Sequence, residues 1–315
     1  MAPLELLLIG AATSGLTGAT TRRMRRREAQ AARDFPPIGR FVTVEGRRVH
    51  AVIEGLGPDL VLLHGASGNA REFTFGLIDR LKADFRVTAF DRPGLGWSDA
   101  LPDGDDPRAQ ARLLQAAARQ LGLERPMVLG QSYGGAVALA WALSAPQTPA
   151  LTLVSPAAMP WSGNLAPWYR ITAHPVGART VIPLVAAYAS QRRVAATIEE
   201  IFAPEPVPAG YAAHIGAALA LRPATLRENV RQVNGLLPHI RAMARLYPRL
   251  ALPVELLHGS ADTIVPAEVH AEPLARLLPA AVLTRLPGAG HMPHHTRPDA
   301  VVAAIHRAAA RAGLH

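Results

Sequence analysis

Short apolar runs, each followed by a stretch with helical spacing, set the narrowest limit on how this chain can fold. Leu60-Val61-Leu62-Leu63 is continuous and apolar, as a strand buried on both faces requires. Ala70 to Lys82 then has helical spacing, and Phe85 to Phe90 reads as a second strand. Asp106-Pro107 supplies an N-cap and a first-turn proline for a helix to about Leu121. Met127-Val128-Leu129 is a strand, Tyr133 to Ala145 a helix, and Leu151-Thr152-Leu153-Val154 a strand. Ahead of these, Phe41–Val44 and Val49–Ile53 flank Glu45-Gly46 as a β-hairpin. Strands alternating with helices predict an α/β fold, a mostly parallel central sheet with helices on both faces.

The alternation stops at Ser155. Helical pieces broken by prolines follow to about Tyr247, and Val254-Glu255-Leu256-Leu257 restores the pattern. A helix near Ala267–Leu278, a strand over Ala281–Leu286 and a helix over Asp299–Ala312 complete it. The expected organisation is one core, residues 39–155 and 248–315, with a helical cap at 156–247. At 315 residues, 49% hydrophobic and 18% charged, the chain can bury such a core and is not mainly disordered. It contains no cysteine, so disulfide staples, a thiol nucleophile and thiolate metal sites are excluded.

The net charge of +9 raises the question of nucleic acid. Only Lys82 is a lysine, which points to compositional bias toward arginine. Arg22, Arg23, Arg25, Arg26 and Arg27 carry more than half of the excess, and no stripe of arginine interleaved with aromatics follows. No nucleic-acid partner is expected. Pro3 to Thr21 carries one charge, Glu5, and includes Leu6-Leu7-Leu8-Ile9. About 18 helical residues span about 27 Å against a bilayer core of about 30 Å. A secretory signal would place its positive charge before the apolar stretch, whereas here the arginines come after it. The pattern predicts an uncleaved membrane anchor over 1–21, with an amphipathic surface helix or a soluble or processed segment as the alternatives, and a basic juxtamembrane linker over 22–38. The catalytic domain would then lie on the cytoplasmic side.

Gly130-Gln131-Ser132-Tyr133-Gly134 lies between a predicted strand and a predicted helix. Such a sharp turn needs small neighbours, lifts the serine hydroxyl into the open, and leaves the Tyr133 N–H at a helix start. Serine needs a base, and His291 follows the last predicted strand in Gly288-Ala289-Gly290-His291. Asp262, just past the strand ending at His258-Gly259, can hold the imidazole; its alternative role is to cap the next helix. A second oxyanion donor is expected from Ala66 N–H, after His64-Gly65, with His64 as a structural hydrogen bonder beneath. His294 and His295 follow His291, but no carboxylate lies at helical ligand spacing, so neither a metal nor a cofactor is expected.

Together these motifs resemble an α/β-hydrolase fold serine hydrolase with a helical cap. His64-Gly65-Ala66-Ser67-Gly68 resembles that family's oxyanion loop. Asp91-Arg92-Pro93-Gly94-Leu95-Gly96-Trp97-Ser98-Asp99 resembles its loop after the next strand. Ser132, Asp262 and His291 fall on the triad positions, in the family's chain order. The resemblance implies hydrolysis of a small hydrophobic carboxylic ester through an acyl-enzyme, with Trp161, Trp168 and Tyr169 as candidate substrate contacts in the cap. The same scaffold serves carbon–carbon bond hydrolases and perhydrolases, and a non-catalytic, membrane-tethered binding protein is the alternative from another class. A serine at position 132 argues against the branches that use an aspartate nucleophile.

Overall fold

The computed structural model describes residues 3–163 and 165–314, with side chains from residue 17 onward. It begins with α1 (Pro3–Asp34), followed by the hairpin β1 (Arg40–Val44) and β2 (Arg47–Glu54), then β3 (Asp59–Leu63). Next come α2 (Arg71–Thr74), α3 (Leu77–Leu81), β4 (Arg86–Phe90), α4 (Pro107–Gln120), β5 (Met127–Gln131), α5 (Tyr133–Ser144) and β6 (Leu151–Val154). Six helices then intervene: α6 (Pro167–Ala173), α7 (Pro175–Tyr188), α8 (Gln191–Phe202), α9 (Tyr211–His214), α10 (Ala217–Ala220) and α11 (Pro223–Ala244). The chain returns through β7 (Val254–Gly259), α12 (Ala271–Leu277), β8 (Ala281–Leu286), α13 (Pro293–Thr296) and α14 (Pro298–Arg311).

All eight strands form one sheet in the order β1-β2-β4-β3-β5-β6-β7-β8. β2 runs antiparallel to β1 and β4, and every pairing from β4 to β8 is parallel. Strands β5, β6 and β7 are buried along their whole length and β3 from Leu60 onward, because helices cover both faces. One apolar cluster joins Val61, Leu63 and Val128 to α4 and α5; the other joins Leu60, Leu62 and Leu129 to α2, α3 and α14. From β3 the chain crosses first to β4 and then back to β5, so the connections diverge between β3 and β5. In such sheets the crevice beyond the carboxyl ends of the diverging strands is where ligands bind.

Local chemistry sets the element ends. The Asp106 carboxylate accepts from the Arg108 amide at 2.9 Å, capping α4 ahead of Pro107. The helix expected from Ala70 to Lys82 is instead two short ones, because Gly76 sits at φ 126°, outside helical space. Near residue 267 the helix begins only at Ala271.

The N-terminus departs most from expectation. No helix among the described residues is long and apolar enough to cross a membrane. Gly10, Thr13, Ser14, Gly15, Thr17 and Gly18 interrupt the apolar sequence, and the positive-inside argument has no span to act on. Of the expected anchor, Met1 and Ala2 lie outside the described residues, as do the side chains of residues 3–16. Nor are the arginines a linker: α1 continues helical to Asp34 and packs on α7 and α10. Arg23 Nε and Arg27 Nη1 donate to the Ala187 carbonyl at 2.8 and 3.1 Å, and the Arg23 guanidinium lies 5.2 Å over the Tyr188 ring. Docking on α7 thus uses part of the charge that the sequence alone assigns to a juxtamembrane linker.

Where the chain returns to the sheet, Tyr247 is fully buried and its hydroxyl has no hydrogen-bond partner among the described residues. An unsatisfied buried hydroxyl costs about 1–3 kcal/mol. Tyr247→Phe is therefore expected to raise the urea midpoint, by about 1 kcal/mol of stability. A lower midpoint would show that the hydroxyl is satisfied.

Candidate active site

Ser132 occupies the turn between β5 and α5 at φ 53°, ψ −119°, a backbone conformation that side-chain-bearing residues rarely adopt. Close contact on both sides forces it. A Cβ on Gly130 would lie 2.3 Å from the Gly134 carbonyl oxygen, and one on Gly134 would lie 2.1 Å from that of Leu63. Only glycines let the strand, the turn and β3 approach this closely.

Around Ser132 the structure brings together residues from three strand ends. The loops after β7 and β8 are laced by Ser260 N–H to Leu286 O at 3.0 Å and Ala261 N–H to Ala289 O at 2.9 Å. That lacing sets Asp262 against His291. His291 Nε2 lies 3.0 Å from Ser132 Oγ, and His291 Nδ1 lies 2.8 Å from Asp262 Oδ2. Asp262 Oδ1 accepts the Ile264 and Val265 amides at 2.9 Å each, so the carboxylate is held from the opposite side as well. Burial by itself would raise the Asp262 carboxyl pKa. Hydrogen bonds from His258 and His291, and the charge of the latter, hold it well below the usual carboxylate range instead. Its alternative role as a simple helix cap does not account for the imidazole contact.

His258, fully buried on β7, is a partner that motif reading overlooked. Its Nε2 lies 2.6 Å from the Val265 carbonyl and 3.2 Å from Asp262 Oδ2, which places two imidazoles on one carboxylate. Its position four residues before Asp262 was the available signal.

The loop after β3 comes against the serine, where a Cβ on Gly65 would lie 3.1 Å from Ser132 Cβ. Neither the Ala66 nor the Tyr133 N–H donates to any acceptor among the described residues. Arg92, with no exposed surface, builds the loop from below. Its Nε donates to the His64 carbonyl at 2.7 Å and Nη2 to the Gly65 carbonyl at 3.0 Å, while Nη1 reaches Gln110 and Gln232 at 2.8 and 2.9 Å. The guanidinium stacks 4.3 Å from the Tyr133 ring centre. His64 Nε2 accepts the Arg92 amide at 3.0 Å, so its Nδ1 donates to the Gly65 carbonyl at 2.9 Å. His64 is thus the structural bonder expected. Above the loop, Ser67 at φ 57° donates its N–H to Asn229 Oδ1 on α11 at 2.7 Å.

The three aromatic candidates separate. Tyr169 joins this layer, its hydroxyl 3.4 Å from Asn229 Nδ2. Trp168 packs with Ile182, Ala186 and Leu226 inside the insertion, and Trp161 lies 5.9 Å from the His270 ring. The insertion also reaches the His291 loop, where Glu205 accepts the Gly290 amide at 3.0 Å and the Thr296 hydroxyl at 2.7 Å, and pairs with Arg297.

Among the described residues, one cluster offers metal-ligand atoms. Glu72 on α2 supplies the carboxylate that helical spacing did not, with its Oε1 3.2 Å from His294 Nε2 and 2.6 Å from His295 Nε2. The Tyr211 hydroxyl donates to the same carboxylate at 3.0 and 3.1 Å. These hydrogen bonds tie α9, α2 and α13 together, directly behind His291.

The chain belongs to the alpha/beta hydrolase family, whose model matches residues 60–304; the similarities agree. It is 32% identical to the pimeloyl-acyl-carrier-protein methyl ester esterase of Edwardsiella ictaluri, across 78% of this chain and 91% of that one. It is also 32% identical to the magnesium-chelatase 30 kDa subunit of Rhodobacter capsulatus, across 77% and 84%. An alpha/beta hydrolase fold protein from Burkholderia ambifaria superposes with a TM-score of 0.72 at 28% identity, covering 84% of this chain and 96% of that one.

Buried histidines give this region a measurable acid sensitivity. Burial, with Arg92 for His64, with His258 for His270 and with His295 for His294, lowers each of the three from 6.5 to about 4. Between those values the unfolded chain binds protons that the folded chain refuses, so stability falls as pH drops through that window. Urea unfolding is expected to lose at least about 3 kcal/mol between pH 7 and pH 5. A flat profile would mean that these rings are solvated. On sequence and fold together, this protein is a member of the alpha/beta hydrolase family.

Proposed function

We propose that the protein hydrolyses small hydrophobic carboxylic esters through an acyl-enzyme on Ser132. The observation carrying this reading is the unbroken chain Asp262 Oδ2, His291 Nδ1, His291 Nε2 and Ser132 Oγ, at 2.8 and 3.0 Å, beside two unengaged backbone N–H groups. Asp262 keeps the Nδ1 proton in place, which leaves Nε2 free to take the hydroxyl proton as Oγ attacks the acyl carbon. The Ala66 and Tyr133 N–H groups receive the developing oxyanion. His291 then protonates the leaving alcohol, and a water molecule, deprotonated by the same nitrogen, releases the acid.

The helices between β6 and β7 act in this reading as a cap over residues 156–247. Ser132 is only 9% exposed beneath them, and Tyr169 stands near the oxyanion loop as a substrate-side residue. The ester preference is supported by the similarity to a methyl ester esterase. No step requires a cofactor.

A panel of p-nitrophenyl esters of increasing acyl length tests this directly. Burst kinetics are expected, with fluorophosphonate labelling confined to Ser132. Ser132→Ala is expected to lower kcat by at least about 10⁴-fold and Asp262→Asn by about 10³- to 10⁴-fold, with little change in KM. Faster cleavage of a vinylogous diketone than of any ester would reassign the reaction to carbon–carbon bonds. A folded protein whose serine ignores electrophiles would make it a binding protein.

A further inference from the structure

The surface around α7 combines an exposed apolar row with two stretches of chain that are free of acids. No Asp or Glu occurs from residue 6 to residue 27, or from residue 125 to residue 198, although the chain has 24 of them. A bias toward arginine explains why lysine is nearly absent from the chain; it does not explain the absence of acids from these stretches. These two stretches meet in the fold, because α1 docks on α7 and α6 packs beside it. Arg22, Arg25 and Arg26 on α1, and Arg170 and Arg179 on the insertion, are exposed and have no ion-pair partner among the described residues.

Along α7, Val176, Thr180, Leu184 and Tyr188 recur at four-residue spacing and therefore share one face. Val176 is 61% exposed, Leu184 48% and Tyr188 45%. Arg23 stacks over Tyr188 at the end of this row, and Arg179 lies beside its middle. An amphipathic helix that faced only water would carry polar residues here.

We propose that this face docks on an anionic lipid bilayer surface. Val176, Leu184 and Tyr188 enter the boundary between headgroups and acyl chains, while exposed arginines of α1, α6 and α7 meet lipid phosphates. Nucleic acid would satisfy the arginines but leave the apolar row in water, so the combination favours lipid. The attachment is peripheral and needs no spanning helix. It rests on the surface alone and stands whether or not Ser132 turns over esters.

The full-length protein is mixed with vesicles of phosphatidylglycerol and phosphatidylcholine, with vesicles of phosphatidylcholine alone, and with a short DNA duplex, and binding is read by co-sedimentation or anisotropy. Binding is expected only to the phosphatidylglycerol vesicles, weakening as salt rises. Val176→Asp with Leu184→Asp is expected to weaken it at least tenfold. Arg22→Gln, Arg25→Gln and Arg26→Gln together are expected to weaken it about a hundredfold, at about fivefold per arginine. Both variants should unfold at the wild-type urea midpoint, since the altered side chains are exposed. Failure of the wild type to bind phosphatidylglycerol vesicles would overturn the proposal. So would wild-type binding by the Val176→Asp, Leu184→Asp variant, or duplex binding as tight as vesicle binding.

Discussion

The left-handed backbone at Ser132 is the constraint around which the rest of this molecule is arranged. A non-glycine residue held there costs on the order of 1–3 kcal/mol and persists only when its surroundings over-determine it. Here they do. β5 is fully buried up to Gln131, the Ser132 amide donates to the Val154 carbonyl at 3.0 Å, and the Ser132 carbonyl accepts from Gly135 and Ala157 at 2.9 and 3.1 Å. The contacts of Gly130 and Gly134 then leave the chain no other path. Strain at this one residue turns its hydroxyl toward the His291 ring and leaves the next amide without an acceptor among the described residues.

A second dependence runs through charge. Arg92 has no exposed surface and no carboxylate on its guanidinium; its hydrogens go to two loop carbonyls and two glutamines. Burial brings its pKa down to about 10, so it remains charged at neutral pH. These bonds hold the His64 and Gly65 carbonyls from one side and fix the loop where Gly65 meets Ser132. Asp91, the preceding residue, fastens the same region laterally by accepting from His50, Ala70 N–H and Trp97 N–H at 2.8, 2.6 and 2.6 Å. The helical insertion completes the enclosure through Asn229 above the loop and Glu205 beside the His291 segment.

Residues acting within a few positions of a strand end were legible from the sequence, because glycines and turn chemistry mark such places. Ser132, Asp262 and His291 all fall there and are joined by hydrogen bonds, while Ala66 follows Gly65 on the loop that meets Ser132. Partners from distant segments were not legible. Glu72 reaches His294 across 222 positions and Glu205 reaches Gly290 across 85, and neither carries a local signature. The N-terminal segment failed for a related reason. Hydropathy along one helix cannot register that Thr20, Arg23 and Arg27 meet Tyr188 and Ala187 on α7, so the basic stretch reads as a linker where the structure has a docked helix. Trp168 was similarly ambiguous, since an aromatic in an insertion has the same sequence appearance whether it packs or lines a pocket.

The central claim is that Ser132 and two backbone amides are organised in advance for a tetrahedral, negatively charged oxygen. A crystal structure of the protein carrying a phosphonate on Ser132 tests it most directly, because the adduct imitates that geometry. The account predicts a phosphonyl oxygen about 2.7–3.1 Å from both Ala66 N and Tyr133 N, with the loop backbone unmoved and His291 still bonded to Asp262. A phosphonyl oxygen turned to solvent, or a loop that must rebuild to reach it, would contradict the account.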